Sequence, residues 1–244
     1  MVAAHKGGSG KTTVAVNLAG ALAANARRVL VVDADPQAAA AAALGVRPHK
    51  PTLYEALRGQ AGVREAVAAT DTPGLVLLPS DLDLAGAEVE LPRDPGWQDA
   101  LAVLLAPLQS ICDVAIIDTP PGLGVLSFTA LRAASAALVV CPLEFLAYRS
   151  LPHLRETTDR AGVPLLGIVP TFGTSTTRHA REVADAMAED YPGLILPAIP
   201  RRIALQDAAV AGQPITAYQP SSDAAAAFSR LAQEVLARVS SKAA

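Results

Sequence analysis

The chain is poor in aromatic residues: one Trp, four Tyr and four Phe among 244 residues. A protein that stacks bases on aromatic platforms needs more. It has no basic excess either. Twenty Lys and Arg stand against 23 Asp and Glu, for a net charge of −3. A uniformly basic nucleic-acid coat is therefore excluded, although a local patch is not. Its two cysteines, Cys112 and Cys141, are too few for a disulfide framework and lack zinc-ribbon spacing. Both adjoin apolar runs and read as buried, reduced thiols. No apolar stretch is long enough for a membrane span, and residues 1–11 have no signal-peptide pattern. A soluble, cytoplasmic protein is expected.

What is present is an aliphatic chain, 51% hydrophobic and 18% charged, able to bury a substantial core. Short continuous apolar runs occur at Val2–Ala4, Val29–Val32, Leu75–Leu78, Val114–Ile117, Ala137–Val140, Leu165–Val169 and Leu194–Ala198. Continuous rather than alternating apolar character suits strands buried on both faces of a parallel sheet. Helical stretches fall between them, at Thr12–Asn25, Gly96–Gln109, Gly124–Ala134, Leu146–Ala161, Thr176–Asp190 and Asp223–Val239. The pattern predicts one doubly wound α/β domain with a mostly parallel sheet over residues 1–239, then a frayed tail, 240–244. The segment Gly45–Pro73 reads as an insertion with two short helical pieces and no clear strand. The Ala-rich run Gln37–Ala43 favours helix.

The strongest motif is Lys6-Gly7-Gly8-Ser9-Gly10-Lys11-Thr12-Thr13. It follows a short strand and opens a helix, the context a phosphate-binding loop needs. Glycines let successive N–H groups turn inward, and the helix N-terminus adds to the anion cradle. Lys11 reaches the β- and γ-phosphates in this reading, and the Thr12 hydroxyl completes a Mg²⁺ shell. The common pattern wants Gly where this chain has His5, and places no Lys at position 6. Lys6 therefore either points away or serves phosphate charge from another direction.

Two further strands end in carboxylates. Val31-Val32-Asp33-Ala34-Asp35-Pro36-Gln37 puts Asp33 and Asp35 where parallel sheets bind ligands. Asp113-Val114-Ala115-Ile116-Ile117-Asp118-Thr119-Pro120-Pro121-Gly122 is an apolar strand ending in Asp118, suited to holding Mg²⁺ directly or through water.

The loop variant resembles the deviant Walker A motif of the ParA/MinD superfamily of dimerising ATPases. The resemblance covers nearly the whole chain and is greatest to short ParA/Soj-type partition ATPases. It implies ATP/ADP and Mg²⁺ as cofactors, a homodimer formed on ATP binding, non-specific binding of double-stranded DNA, and stimulation by a ParB-like centromere-binding protein. It implies that Lys6 crosses the dimer interface to the partner's phosphates, as an arginine finger does in trans. It assigns Asp35 to the attacking water and, with Thr12 and Asp118, to the metal site, with Asp33 supporting that water or the metal shell, Asp118 to the Walker B role, and Thr119–Gly122 to switch II. Leu53-Tyr54-Glu55-Ala56-Leu57, Leu77-Leu78-Pro79-Ser80, Leu84-Ala85-Gly86-Ala87-Glu88, Leu166-Gly167-Ile168-Val169-Pro170-Thr171 and Ile199-Pro200-Arg201-Arg202 are similar to further family landmarks. Thr171 and Pro200 are thereby expected to frame the adenine.

The family's DNA-contacting basic residues do not align cleanly, because Ala204 and the neighbourhood of Thr176 hold their places. Arg178, Arg181, Arg201 and Arg202 are the nearby candidates. Seven basic and seven acidic residues follow Phe172, so a DNA face must be a local cluster. The alternatives are a MinD-like membrane-cycling ATPase, which predicts a basic amphipathic C-terminal helix, and an ATPase that positions other cargo. A reductase resembling the nitrogenase iron protein would need cluster-bridging cysteines, and Cys112 and Cys141 lack glycine-rich loops. For a small-molecule ligase of the superfamily no substrate-specific constellation is visible.

Overall fold

The computed structural model describes residues 1–4, 6–172 and 177–243. His5 and Thr176 lie outside the described residues. Strand β1 (Val2–Ala3) leads through the glycine-rich loop into helix α1 (Lys11–Ala24). Then come β2 (Val29–Asp33), α2 (Ala39–Ala43), α3 (Leu53–Leu57), α4 (Val63–Ala66), β3 (Ala68–Ala69) and β4 (Leu75–Leu78). Helices α5 (Ala87–Glu90) and α6 (Ala100–Leu105) precede β5 (Val114–Asp118), α7 (Val125–Ala133) and β6 (Ala137–Pro142). The rest is α8 (Phe145–Tyr148), α9 (Leu151–Arg160), β7 (Leu165–Thr171), α10 (Arg178–Asp190), α11 (Ile203–Val210), α12 (Ile215–Tyr218) and α13 (Asp223–Ala243).

The sheet runs β3-β4-β2-β5-β1-β6-β7 and is parallel throughout except for β3. The chain winds outward from β1 to β4, returns through β5, and continues on the other side through β6. The loop after β1 thus sits where the winding reverses, the place such sheets hold ligands. Helix α1 is buried continuously from Val14 to Leu22, because it lies between the sheet and α13. Phe228, fully buried, is the largest side chain of α13 in that contact. The helices α3 to α7 cover the opposite face, with Leu53, Leu84, Leu101 and Leu126 at its core.

Gly20 and Asn17 fix how α1 meets α12. A Cβ on Gly20 would stand 2.3 Å from Pro214 Cβ, so only glycine admits this approach. The Asn17 amide donates to the Thr13 carbonyl, and its Oδ1 accepts the Ile215 N–H at 2.6 Å. A cavity of about 200 Å³ under Val2, lined in part by Leu18, Val114, Ala115, Leu138 and Val235, lies at the other end of the strands from the loop.

Several sequence expectations change. Leu194–Ala198, expected as a strand, holds only an isolated bridge of Ile195 with Ile168, and Ile199 just beyond it bridges Thr171. Pro197 and Pro200 have no N–H to continue a ladder. The segment 45–73 does contain a strand, β3, whose two alanines carry no β-branched signal. The helix expected over Leu146–Ala161 breaks between α8 and α9. Pro152 at the start of α9 lacks an N–H, and its ring would clash with the Tyr148 carbonyl of a continuous helix. The stretch Gly96–Gln109 keeps α-helix only over α6, flanked by 3-10 turns, the second containing Pro107. The last helix extends through Ala243, beyond the Val239 end read from its apolar stripe.

Candidate functional site

The loop is shaped by its glycines. Gly8 and Gly10 hold φ angles of +74° and +93°, a left-handed region that a side chain strains. Gly10 sits at the N-cap of α1, and no side chain caps the helix. The first N–H groups of α1 are therefore free to bind an anion. Gly10 is further constrained from outside, since a Cβ there would lie 2.6 Å from the Phe172 ring.

The buried side-chain oxygens without a hydrogen-bond partner, among the described residues, are Ser9 Oγ and both carboxylate oxygens of Asp118. An unpartnered, fully buried carboxylate is costly. Burial pushes Asp118 up to about 6, against the pull of the Thr12 hydroxyl and the Lys11 charge, and Asp35 pushes it further up. Lys11 is itself only 7% exposed. Burial lowers its pKa, while Asp118 and Asp35 favour its charged form. Lys11, Thr12, Asp35 and Asp118 thus share one charged environment. A hydrated divalent cation with a nucleotide phosphate would satisfy the orphan oxygens of Asp118, and Thr12 supplies a hard oxygen beside them. The donor set fits Mg²⁺.

Asp33 and Asp35, two residues apart, do different things. Asp33 is fully buried, and its Oδ2 accepts the N–H groups of Ala40 and Ala41 at 3.1 and 3.2 Å. It caps α2, which has no cap of its own. Burial, with the Asp118 charge behind it, pushes Asp33 up to about 7. Its hydrogen bonds brace the loop that carries Asp35. Its Oδ1 also accepts the Asp35 N–H, at 3.3 Å. Asp35 accepts the Gln37 N–H on Oδ1, forming a tight turn at the strand end.

Three partnerships were not readable from sequence. The Thr171 hydroxyl donates to the Ser9 carbonyl at 2.9 Å, and Thr171 is only 1% exposed. This residue, expected beside the adenine, here braces the phosphate loop. The Thr119 hydroxyl donates to the Val2 carbonyl at 2.9 Å, tying the end of β5 to β1. The Ser80 hydroxyl donates to the Asp35 carbonyl at 2.6 Å. Pro200, the other adenine candidate, is partly exposed. Beside it Arg201 stacks over Phe172, 5.3 Å from the ring centre, so Gly10, Phe172 and Arg201 form a continuous layer.

Lys6 is exposed and held by no ion pair among the described residues. It borders a cleft with Gly7, Ser9, Pro142, Leu146 and Ser150. On the rim, Phe145 and Leu146 are 51% and 70% exposed. The DNA candidates divide. Arg202 is engaged by Asp223, with contacts from 2.6 Å, and Arg178 pairs with Glu182 at 2.7 Å. Arg181 and Arg201 have no acidic partner among the described residues.

No helix of the described chain is long and apolar enough to cross a membrane. The family described as AAA domain matches residues 1–162. The chromosome partitioning protein ParA of Caulobacter vibrioides is 35% identical, over 97% of this chain and 93% of its own. The chromosome-partitioning ATPase Soj of Treponema pallidum is 32% identical, over 96% and 95%. Among solved structures, Cyanothece McdA superposes with a TM-score of 0.87 at 28% identity, covering 96% of this chain and 97% of its own. A Mycobacterium smegmatis protein described as cobyrinic acid a,c-diamide synthase, with bound ATP analogue and magnesium, superposes at 0.85 with 36% identity, covering 99% and 95%. With the loop, the two carboxylate strands and the sheet order in agreement, the chain belongs to the ParA/Soj family of P-loop ATPases.

Proposed function

We propose that this ATPase partitions DNA, with Mg·ATP closing two copies face to face into a dimer that holds duplex DNA through its phosphates. The observation that carries the reading is Lys6, exposed and in no ion pair among the described residues, beside the phosphate loop on a partly apolar rim. Within one subunit a second lysine at the phosphates has no evident work. Across a dimer it meets charge developing on the partner's γ-phosphate.

In this mechanism the loop N–H groups and Lys11 hold the triphosphate, and Thr12 and Asp118 hold Mg²⁺. The metal, when bound, supplies positive charge that offsets the transferring phosphoryl group. Asp35 orients the attacking water, and Asp33, Ser80 and Thr171 hold the surrounding backbone in place. ADP release reopens the dimer, and a ParB-like partner accelerates the cycle. Arg181 and Arg201 carry the DNA contacts, gathered from both subunits.

The test is DNA retention by the purified chain with ATP, with ADP and with neither, over a salt series. Retention that needs ATP and falls steeply with salt supports the reading. Retention indifferent to both overturns it. The likeness to the McdA structure supports a second reading, an ATPase that positions another cargo. Its membrane-cycling form needs a free amphipathic helix, whereas α13 buries Phe228, Leu231 and Val235 against the body. Liposome co-sedimentation with ATP separates the two. The M. smegmatis likeness supports a ligase reading, which cobyrinic acid-dependent ATP turnover would reveal.

A further inference from the structure

The segment after β4 touches both loops that flank the phosphate site. Near its start, Ser80 is fully buried and its hydroxyl donates to the Asp35 carbonyl. Eight residues on, Glu88 projects from α5 to the start of α7. Its Oε2 accepts the Val125 N–H at 2.8 Å and its Oε1 the Leu126 N–H at 3.3 Å. Helix α7 follows directly on Thr119–Gly124, the loop that leaves Asp118, and has no cap of its own. Gly124 is the residue the approach requires: a Cβ there would lie 2.9 Å from Glu88 Oε1. A carboxylate at a helix N-terminus satisfies orphan N–H groups and suits the helix dipole.

Between these two contacts the segment is firmly seated. Leu84 and Ala87 are fully buried, and Leu91 nearly so. The Pro79 carbonyl accepts the Leu53 N–H, the Tyr54 hydroxyl meets the Glu90 carboxylate, and Arg58 pairs with Glu90 at 3.3 Å. A seated segment bonded once to the Asp35 loop and twice to the start of α7 links the two in one body.

We infer that Ser80 and Glu88 are positioning residues, and that the strap between them couples the Asp35 loop to the Asp118 loop. A shift at the start of α7 is then carried to the backbone that aims Asp35 at the water. This rests on the hydrolytic reading of the site. Glu88 touches no substrate and acts only through α7.

The experiment compares the full chain with its Glu88→Ala, Glu88→Gln and Ser80→Ala variants. It reads backbone hydrogen exchange, nucleotide affinity and ATP turnover. In Glu88→Ala, exchange is expected to rise at Val125 and Leu126, and also at Gln37–Ala41 on the far side of the strap. Turnover should fall between about ten- and a hundredfold, the scale of a small misplacement at the chemistry. Nucleotide affinity should stay within about twofold, since ground-state binding is untouched. Glu88→Gln keeps an acceptor and should recover part of the turnover. Ser80→Ala should raise exchange at Val125 and Leu126. The inference is overturned if exchange in Glu88→Ala stays confined to α7, or if turnover and affinity fall together. Should Glu88→Ala fail to fold, Glu88→Gln and Ser80→Ala decide the coupling by the same readouts. A wild-type chain that turns over no ATP sinks the hydrolytic reading instead, while the exchange pattern still decides the coupling.

Discussion

Asp33 and Asp118 stand directly opposite each other at the carboxyl ends of β2 and β5, both fully buried. Each has its pKa raised, to about 7 and about 6, from an ordinary 3.8, burial being the larger cause in both. The folded state therefore binds protons more tightly than the unfolded chain between pH 4 and 7. The nucleotide-free protein should lose stability as pH rises through that window, with the pair's full contribution present only below it. Thermal unfolding from pH 4.5 to 7 checks this. Asp33→Asn, which keeps an acceptor for α2, should flatten the slope. A stability that climbs steadily over the same range would contradict the assignment. Glu55 and Asp113, both held near 2 by hydrogen bonds to Lys50 and Arg28, titrate below the window.

Lys11→Ala should abolish tight nucleotide binding, since the loop then lacks its buried cation. Asp35→Ala should bind ATP normally and fail to turn it over, with a loss of about 10²-fold or more if it places the water. Equilibrium binding of a fluorescent ATP analogue beside a phosphate-release assay separates the two effects. Normal turnover by Asp35→Ala would remove its assigned role.

Lys6→Ala should leave monomer binding of ADP intact and remove hydrolysis. Mixing Lys6→Ala with Asp35→Ala offers a sharper reading. If Lys6 acts across a dimer, the mixture contains one site with both groups intact and recovers part of the activity. Two inactive proteins that stay inactive together would place Lys6 in its own site.

Arg181→Glu and Arg201→Glu should each weaken DNA retention and lower its salt slope by about one, as expected for a lost phosphate contact. Arg202→Ala should act mainly on folding, because its guanidinium joins the start of α11 to Asp223 of α13. Retention measured beside a melting curve distinguishes these. An Arg202→Ala protein of unchanged stability that no longer binds DNA would reverse the order.

Asn17→Ala leaves the Ile215 N–H buried without an acceptor. This should cost about 1–3 kcal/mol in denaturant unfolding. Gly20→Ala, forced against Pro214, should cost a similar amount by overpacking. Both variants should keep their nucleotide affinity once folded.

The sequence carried the loop plainly, because glycines, Lys11 and Thr12 are contiguous and their spacing is the chemistry. It carried Asp35 and Asp118 as candidates, since each lies at or just past the carboxyl end of an apolar strand, although Asp33 in the same kind of place caps α2. It could not show what holds them. The partners of Ser80, Glu88 and Thr171 lie 45, 37 and 162 positions away, beyond any local pattern. Helices α11 and α12 give no periodic signal, because the apolar residues of α11 are spread around the helix instead of gathered on one face and α12 is a single turn. The fate of Arg202 was equally hidden, since its contact with Asp223 exists only once α11 and α13 meet.

Helix α1 has a further consequence for how ligand arrives. From Val14 to Leu22 it presents no wet face, so it cannot tilt to open the loop or swing to close it. A nucleotide must come to a cradle that is already formed, and little ordering remains to oppose capture. Association should then follow a single exponential whose rate grows linearly with nucleotide concentration. Any slow step in the cycle then belongs to events after binding.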